Sequence, residues 1–408
     1  MKTVAIGIDG VPYDMIKGFA KDGVMPCFAE LIDQYEFRKM ESAIPEISSV
    51  SWSSIITGDN PGEHGIYGFT DFLPGTYNLS FPNFNNLKTK PYWEKDGKRH
   101  VVINVPMTYP AKPLNGFMVS GFVAPDLEKA VYPPEYLSKL QELDYRTDVD
   151  ASKAKKSESL FLTELNEALE NRIKTYQHFW QEPWQTFTLV FTGSDRLEHV
   201  LWNAYEDKEH EFHEDFLNYF RRVDEVIGEI SSSLSEEDQL VLMSDHGMER
   251  VDKEVNINHE LEQQDFLSFE DSKKLKNISQ KTQAFALDPS RIYINKKDSF
   301  SRGKINEKEA EEISDSLFSF FKKQEYVKKV FRKKEIYHGK EINNSPDIIL
   351  LPRDHYNFRA RMADGLYSQP ALSGHHTQDD AFLLVKNGIP KENPKVEDVS
   401  DFILGEKR

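Results

Sequence analysis

Four short stretches carry aspartate or histidine where apolar runs begin or end. Ser244-Asp245-His246-Gly247-Met248 follows Gln239-Leu240-Val241-Leu242-Met243, a run with the length and flanks of a buried strand. Thr3-Val4-Ala5-Ile6-Gly7-Ile8 ends in Asp9-Gly10, and Thr186-Phe187-Thr188-Leu189-Val190-Phe191 ends in Thr192-Gly193-Ser194-Asp195. If a helix opens near Asp195, His199 stands one turn along the same face, which is metal-ligand spacing. The pair His375-His376 precedes the strand Ala381-Phe382-Leu383-Leu384-Val385. With one histidine taken from the His375-His376 pair, these ends supply three carboxylates and three imidazoles, enough for two three-ligand sets. Mixed nitrogen and oxygen donors without thiolate suit zinc or manganese. Two divalent ions about 4 Å apart clamp the attacking and leaving oxygens of an in-line displacement. Each stretch taken alone has a plainer reading. Asp9 caps the helix starting near Pro12, Asp195 caps its own helix, and Asp-His-Gly shapes a loop.

A nucleophile candidate lies in Ile47-Ser48-Ser49-Val50-Ser51-Trp52-Ser53-Ser54-Ile55-Ile56-Thr57-Gly58. Trp52, Ile55 and Ile56 predict one buried helical face, and Gly58 predicts the stop. Serine at the front caps a helix, and a hydroxyl there also suits phosphoryl chemistry, because free N–H groups attract a phosphate. Asn104, Thr108 and Tyr109, after the strand at 100–105, are candidates to face a substrate, and turn chemistry accounts for them as well.

The elements that position these residues read as alternating strands and helices, which predicts an α/β fold with ligands at the carboxyl ends of strands. Helices are expected at 26–35, 133–180, 206–233, 306–322 and 396–404. Strands are expected at 37–43, 290–295 and 346–351 as well as those above. Lys153, Lys155 and Lys156 read as a solvated face. His64 and the single cysteine, Cys27, read as structural. The net charge of −17 argues against a nucleic-acid surface and against docking on anionic lipid. No signal-like segment or membrane-length apolar stretch occurs, so a cytoplasmic protein is expected.

In order and placement these motifs resemble the alkaline phosphatase superfamily. The resemblance is to its type I phosphodiesterase/nucleotide pyrophosphatase group, and within that to the branch of predicted phosphohydrolases and phosphomutases. It rests on Gly7-Ile8-Asp9-Gly10, Ser48 through Thr57-Gly58, Asn60-Pro61-Gly62-Glu63-His64-Gly65-Ile66, Asn104 through Pro110, Asp195 with His199, Ser244 through Met248, Arg291 through Asn295, and Gly374-His375-His376. The resemblance implies a three-layer sandwich with a mainly parallel central sheet, and a single catalytic domain over 1–408. Insertions are expected at about 70–98 and 125–182, as cap candidates, and at about 250–290. It implies one metal held by Asp195, His199 and His376, and another held by Asp9, Asp245 and His246 with the Ser48 hydroxyl. His376 is preferred to His375 because the family pattern is glycine, any residue, histidine. Ser48 is preferred to Ser49 because it lies ten residues before Gly58.

The expected activity is hydrolysis of a small soluble phosphate ester through a phosphoserine intermediate, with two divalent ions, zinc ahead of manganese. The alternatives are a phosphomutase, a nucleotide pyrophosphatase or phosphodiesterase, cleavage of a sulfate or phosphonate ester, and a non-catalytic binding protein. One departure stands out. Phe69 occupies the position where nucleotide pyrophosphatases place an asparagine against the phosphoryl oxygen, with Asn104 or Thr108 as substitutes.

Overall fold

A computed structural model describes residues 1–149 and 157–405. The lysines at 153, 155 and 156 lie outside the described residues. The chain divides into two compact units. The first is Met1–Asp59, Asn83–Met248 and Ser373–Arg408, and the second is Asn60–Pro82 and Glu249–Leu372.

The first unit is built on an eight-stranded sheet. Its order is Glu36–Met40, Ala381–Val385, Gln239–Met243, Thr3–Ile8, Thr186–Phe191, His100–Ile103, Gly116–Val119 and Val131–Tyr132. The five strands from Gln239–Met243 to Gly116–Val119 run parallel. Continuous apolar runs such as Thr3–Ile8, buried at every residue, are what a sheet covered on both faces requires. Alternation still assigns the faces. Val4, Ile6 and Ile8 pack among residues of the helices Tyr13–Lys21, Glu158–Trp180, Gly193–Glu206 and His213–Ser232. Gly7 looks the other way, onto the helix Ser48–Thr57, and a Cβ there would fall 2.3 Å from the Trp52 ring. The arrangement is helix, sheet, helix in three layers.

Register is what builds the site. Ile8 stands opposite Phe191, and Gly7 opposite Met243, so these three strands stop level with one another. Asp9, Asp195 and Asp245 therefore leave the sheet at one edge. Ala381–Val385 runs antiparallel to Gln239–Met243. Its beginning lies at that same edge, and the preceding Gly374–Thr377 segment is delivered there too.

The second unit carries an antiparallel sheet in the order Ala284–Leu287, Arg291–Ile294, Ile348–Pro352 and Val327–Arg332. The helix Glu307–Phe321 contributes Leu317 and Phe321 to a core with Phe285, Ile348 and Leu350. The expected insertion at 250–290 is thus part of a longer excursion. It holds the strand Lys253–Asn256, the helix Ile257–Gln263 and the strand Ala284–Leu287. The two strands have four residues each, too short to establish a period. The expected insertion at 70–98 is split between the units at residue 82. The long helix expected at 206–233 begins at His213, because Gly193–Glu206 forms a helix of its own.

Candidate active site

The capping readings of Asp9, Asp195 and Ser48 do not match the local geometry. The helix Tyr13–Lys21 is capped at Pro12, away from Asp9. Thr192 is the N-cap of Gly193–Glu206, so Asp195 sits inside the first turn with His199 four residues on. Ile47 is the N-cap of Ser48–Thr57, which leaves the Ser48 hydroxyl free of capping. The Ile47 carbonyl takes the N–H groups of Val50 and Ser51, so the N–H groups of Ser48 and Ser49 precede the first helical bonds.

Two donor sets result. Asp9, Asp245 and His246 each offer one ligand atom within 4.8 Å of the others, and so do Asp195, His199 and His376. The His246 and His376 rings stack with centroids 3.7 Å apart, so the sets abut. Ser48 Oγ lies 3.0 Å from His246 Nε2. His375 is buried beside them and belongs to neither set.

Each ligand is oriented by a bond on its far side. Trp52 Nε1–H donates to Asp9 Oδ2 at 2.9 Å, and the Gly10 N–H donates to Asp245 Oδ1 at 3.1 Å. Gly10 has a φ of +81°, and a Cβ there would meet Asp195 at 3.2 Å, so only glycine closes this corner. Nδ1 of His199, His376 and His246 lies 2.8, 2.8 and 3.0 Å from the carbonyls of Gly374, Glu46 and Gly247. A carbonyl only accepts, so the proton is on Nδ1 and each Nε2 turns a lone pair inward.

These inward atoms fit a divalent cation. Asp9 Oδ1 and Asp245 Oδ2 are buried without a hydrogen-bond partner, facing His246 Nε2 at 3.8 and 3.3 Å. His199 Nε2 and His376 Nε2 face each other at 2.9 Å, with Asp195 Oδ1 3.3 and 3.2 Å away. Two lone pairs and a carboxylate oxygen at this range repel one another unless a positive charge joins them.

Charge follows the same pattern. Burial, then the charges of Asp245 and Asp195, push the Asp9 carboxyl well up. Burial pushes Asp245 up to about 8. Burial alone would also raise Asp195, but an imidazole of His199 or His376 that takes up a proton, together with the Arg196 guanidinium, outweighs it and holds it well below the usual carboxylate range. Burial keeps His246 and His376 neutral. Metal uptake by stripped protein at pH 7 is therefore expected to release at least one proton from the Asp9/Asp245 pair. The release should fade once the pH is high enough for both carboxyls to ionise unaided. Calorimetric titration in two buffers of different ionisation heat reads this directly. Identical heats at pH 7 would mean that the pair is already ionised.

The substrate candidates sit differently. Asn104, at φ +64°, is fully buried and donates its amide to the Val190 carbonyl and to Thr192 Oγ1. Thr108 is fully buried, and its hydroxyl donates to the Val105 carbonyl at 2.7 Å. Thr108 thus bonds within its own turn, whereas Asn104 ties its turn to the end of the strand Thr186–Phe191. Tyr109 is half-buried. Phe69 belongs to the second unit. His64 accepts the Ile66 N–H on Nδ1 within a tight turn. Cys27 packs against Gly228, and burial with Asp224 pushes its thiol up to about 11, so it stays protonated.

Three residues near the site had not been singled out. Arg196 bonds Asp195 and, 48 residues back, Asp148. Glu198 is fully buried with neither carboxylate oxygen bonded. Burial and then the neighbouring aspartates keep it a neutral acid. Adjacency to Asp195 and His199 was the available signal for Arg196 and Glu198. Asp148 carried none.

The sequence profile of the type I phosphodiesterase/nucleotide pyrophosphatase family matches residues 3–379. The chain belongs to this family. Family members are metal-dependent phosphoester hydrolases of the alkaline phosphatase superfamily, and the chain has their fold. Among solved structures, phosphonoacetate hydrolase from Sinorhizobium meliloti 1021 with phosphonoformate superposes at a TM-score of 0.67. It is 14% identical, over 99% of this chain and 95% of that one. Murine ectonucleotide pyrophosphatase/phosphodiesterase 5 superposes at 0.59 with 13% identity, over 99% and 94%. The human form of that protein gives 0.57 with 12% identity, over 99% and 94%. No curated protein matches. Among the described residues, no helix is long and apolar enough to cross a membrane.

Proposed function

We propose that this family member hydrolyses a small soluble phosphate ester through a phosphoserine at Ser48, with a divalent ion, zinc ahead of manganese, in each donor set. The observation that carries the reading is Ser48 Oγ at the start of its helix, 3.0 Å from His246 Nε2 of one donor set, whose ring stacks on His376 of the other. Bound divalent ions supply Lewis-acid polarisation of the phosphoryl group and acidify a nearby hydroxyl. The Ser48 hydroxyl gives its proton to solvent, its oxygen bonds phosphorus, and the ester oxygen departs from the opposite side, taking a proton from solvent to leave as the alcohol. The N–H groups of Ser48 and Ser49 hold a non-bridging oxygen as charge builds. Water then cleaves the serine ester and restores the hydroxyl.

The reading is tested with p-nitrophenyl phosphate, bis-p-nitrophenyl phosphate, sugar and nucleotide esters, and phosphonoacetate, each with zinc and with manganese. Turnover of at least one phosphate ester by metal-supplied protein, and of none by stripped protein, is expected. Turnover of phosphonoacetate alone, or inertness toward the whole panel, overturns it. Return of the phosphate to another hydroxyl of the substrate in preference to water would make the protein a phosphomutase, the second reading.

A further inference from the structure

Asp195 divides its two oxygens. Oδ1 faces the Nε2 atoms of His199 and His376 at 3.3 and 3.2 Å. Oδ2 accepts from Arg196 Nη1 at 3.1 Å. That second contact is not one the helix provides by itself. Consecutive helical residues point about 100° apart, so a side chain does not ordinarily meet the one before it. Something outside the helix must draw the guanidinium back.

Two groups do so. Asp148 accepts from Arg196 Nε at 3.3 Å and from Nη2 at 3.0 Å, a two-point fork. The guanidinium carbon also lies 4.1 Å from the centre of the Phe122 ring, which fixes the plane. The arginine is mostly buried, at 17% side-chain exposure. Asp148 further balances its charge, so a full positive charge is not left beside a site meant for a cation. Only a guanidinium can fork one carboxylate, reach a second and stack on a ring. A lysine ammonium cannot.

We propose that Arg196, held by Asp148 and Phe122, is a positioning residue that presents Asp195 to a metal through a single oxygen. The inference rests on the reading of Asp195, His199 and His376 as a donor set. Arg196 acts through Asp195 and does not need to touch the substrate. Groups that orient a ligand from behind typically change metal affinity by roughly 10- to 100-fold.

The test titrates stripped protein with cobalt, followed by the visible absorption of the bound ion, and with zinc by equilibrium dialysis. Arg196→Gln should weaken one equivalent by roughly 10- to 100-fold and alter its cobalt spectrum, leaving the other equivalent unchanged. Arg196→Lys should fail to restore it. Arg196→Ala should regain part of the affinity when free guanidinium is added. Asp148→Asn should weaken the same equivalent by less, and it serves as the second variant if the arginine substitutions unfold. Wild-type affinity and spectrum in Arg196→Gln and Asp148→Asn overturn the inference. If unmodified protein takes up only one equivalent, the two-ion reading fails separately. The inference then stands if Arg196→Gln weakens that equivalent, and falls if it does not. No uptake by unmodified protein sinks both.

Discussion

Replacing Ser48 by alanine is expected to remove most turnover while the fold and metal uptake persist. The side chain is small and caps nothing, so its loss opens no large cavity and breaks no helix start. What disappears is the oxygen that would bond phosphorus. The cost should be on the order of several kcal/mol of transition-state stabilisation, with each 1.4 kcal/mol a factor of about ten in rate. Ser48→Thr should keep part of the activity, since a hydroxyl remains. Ser49→Ala is the control. Ser49 is fully buried and its hydroxyl has no protein partner, so removing it should leave the rate nearly unchanged and cost little stability. Near-normal rates in Ser48→Ala with a dead Ser49→Ala would shift the nucleophile by one residue. Normal rates in both would replace the serine ester with direct attack by water.

Exhaustive chelation is expected to abolish turnover and to lower the melting temperature of the first unit by several degrees. Three carboxylates meet there, Asp9 Oδ1 and Asp245 Oδ2 without hydrogen-bond partners, and two imidazole lone pairs oppose each other at 2.9 Å. A ligand that binds only the folded state adds about 4 kcal/mol at a thousandfold excess over its Kd, and that much is forfeited on stripping. Zinc or manganese should restore both activity and stability. Full activity and unchanged melting after chelation would mean that the donor sets are not metal sites.

Much of this was legible from the chain because strand ends are strong signals. Apolar runs fixed the strands at 3–8, 186–191, 239–243 and 381–385, and the Asp and His residues sat at their ends. The groups that orient those residues were not legible. Trp52 reads as one apolar position on a helical face, and nothing local says that its N–H reaches Asp9. Gly7 reads as an ordinary strand residue, yet it leaves the space that the indole fills. Asn104 and Thr108 show where the sequence leaves two readings open. A polar residue after a strand looks the same whether it serves a turn or a ligand, and only the direction of its hydrogen bonds separates the two. The strands near 290 and 346 and the helix between them were legible, but their grouping with Asn60–Pro82 was not, because the two segments are separated by more than 160 residues of the first unit.

The position of His376 bears on how the protein is made. Asp9, Ser48, Asp245 and His246 have all been synthesised once residue 246 is added, whereas Asp195 and His199 wait for His376, another 130 residues beyond that point. At roughly 5–20 residues per second that is a gap of about 7 to 26 s. During it the ribosome produces the Glu249–Leu372 part of the second unit. The strand Ala381–Val385 also arrives late, and it inserts between Glu36–Met40 and Gln239–Met243. Until it does, Glu36–Met40 lacks its neighbour in the sheet, and Gln239–Met243 is an open edge. A nascent chain can thus complete one donor set well before the other, and translation that stalls before residue 381 leaves a sheet edge open to pairing with another copy.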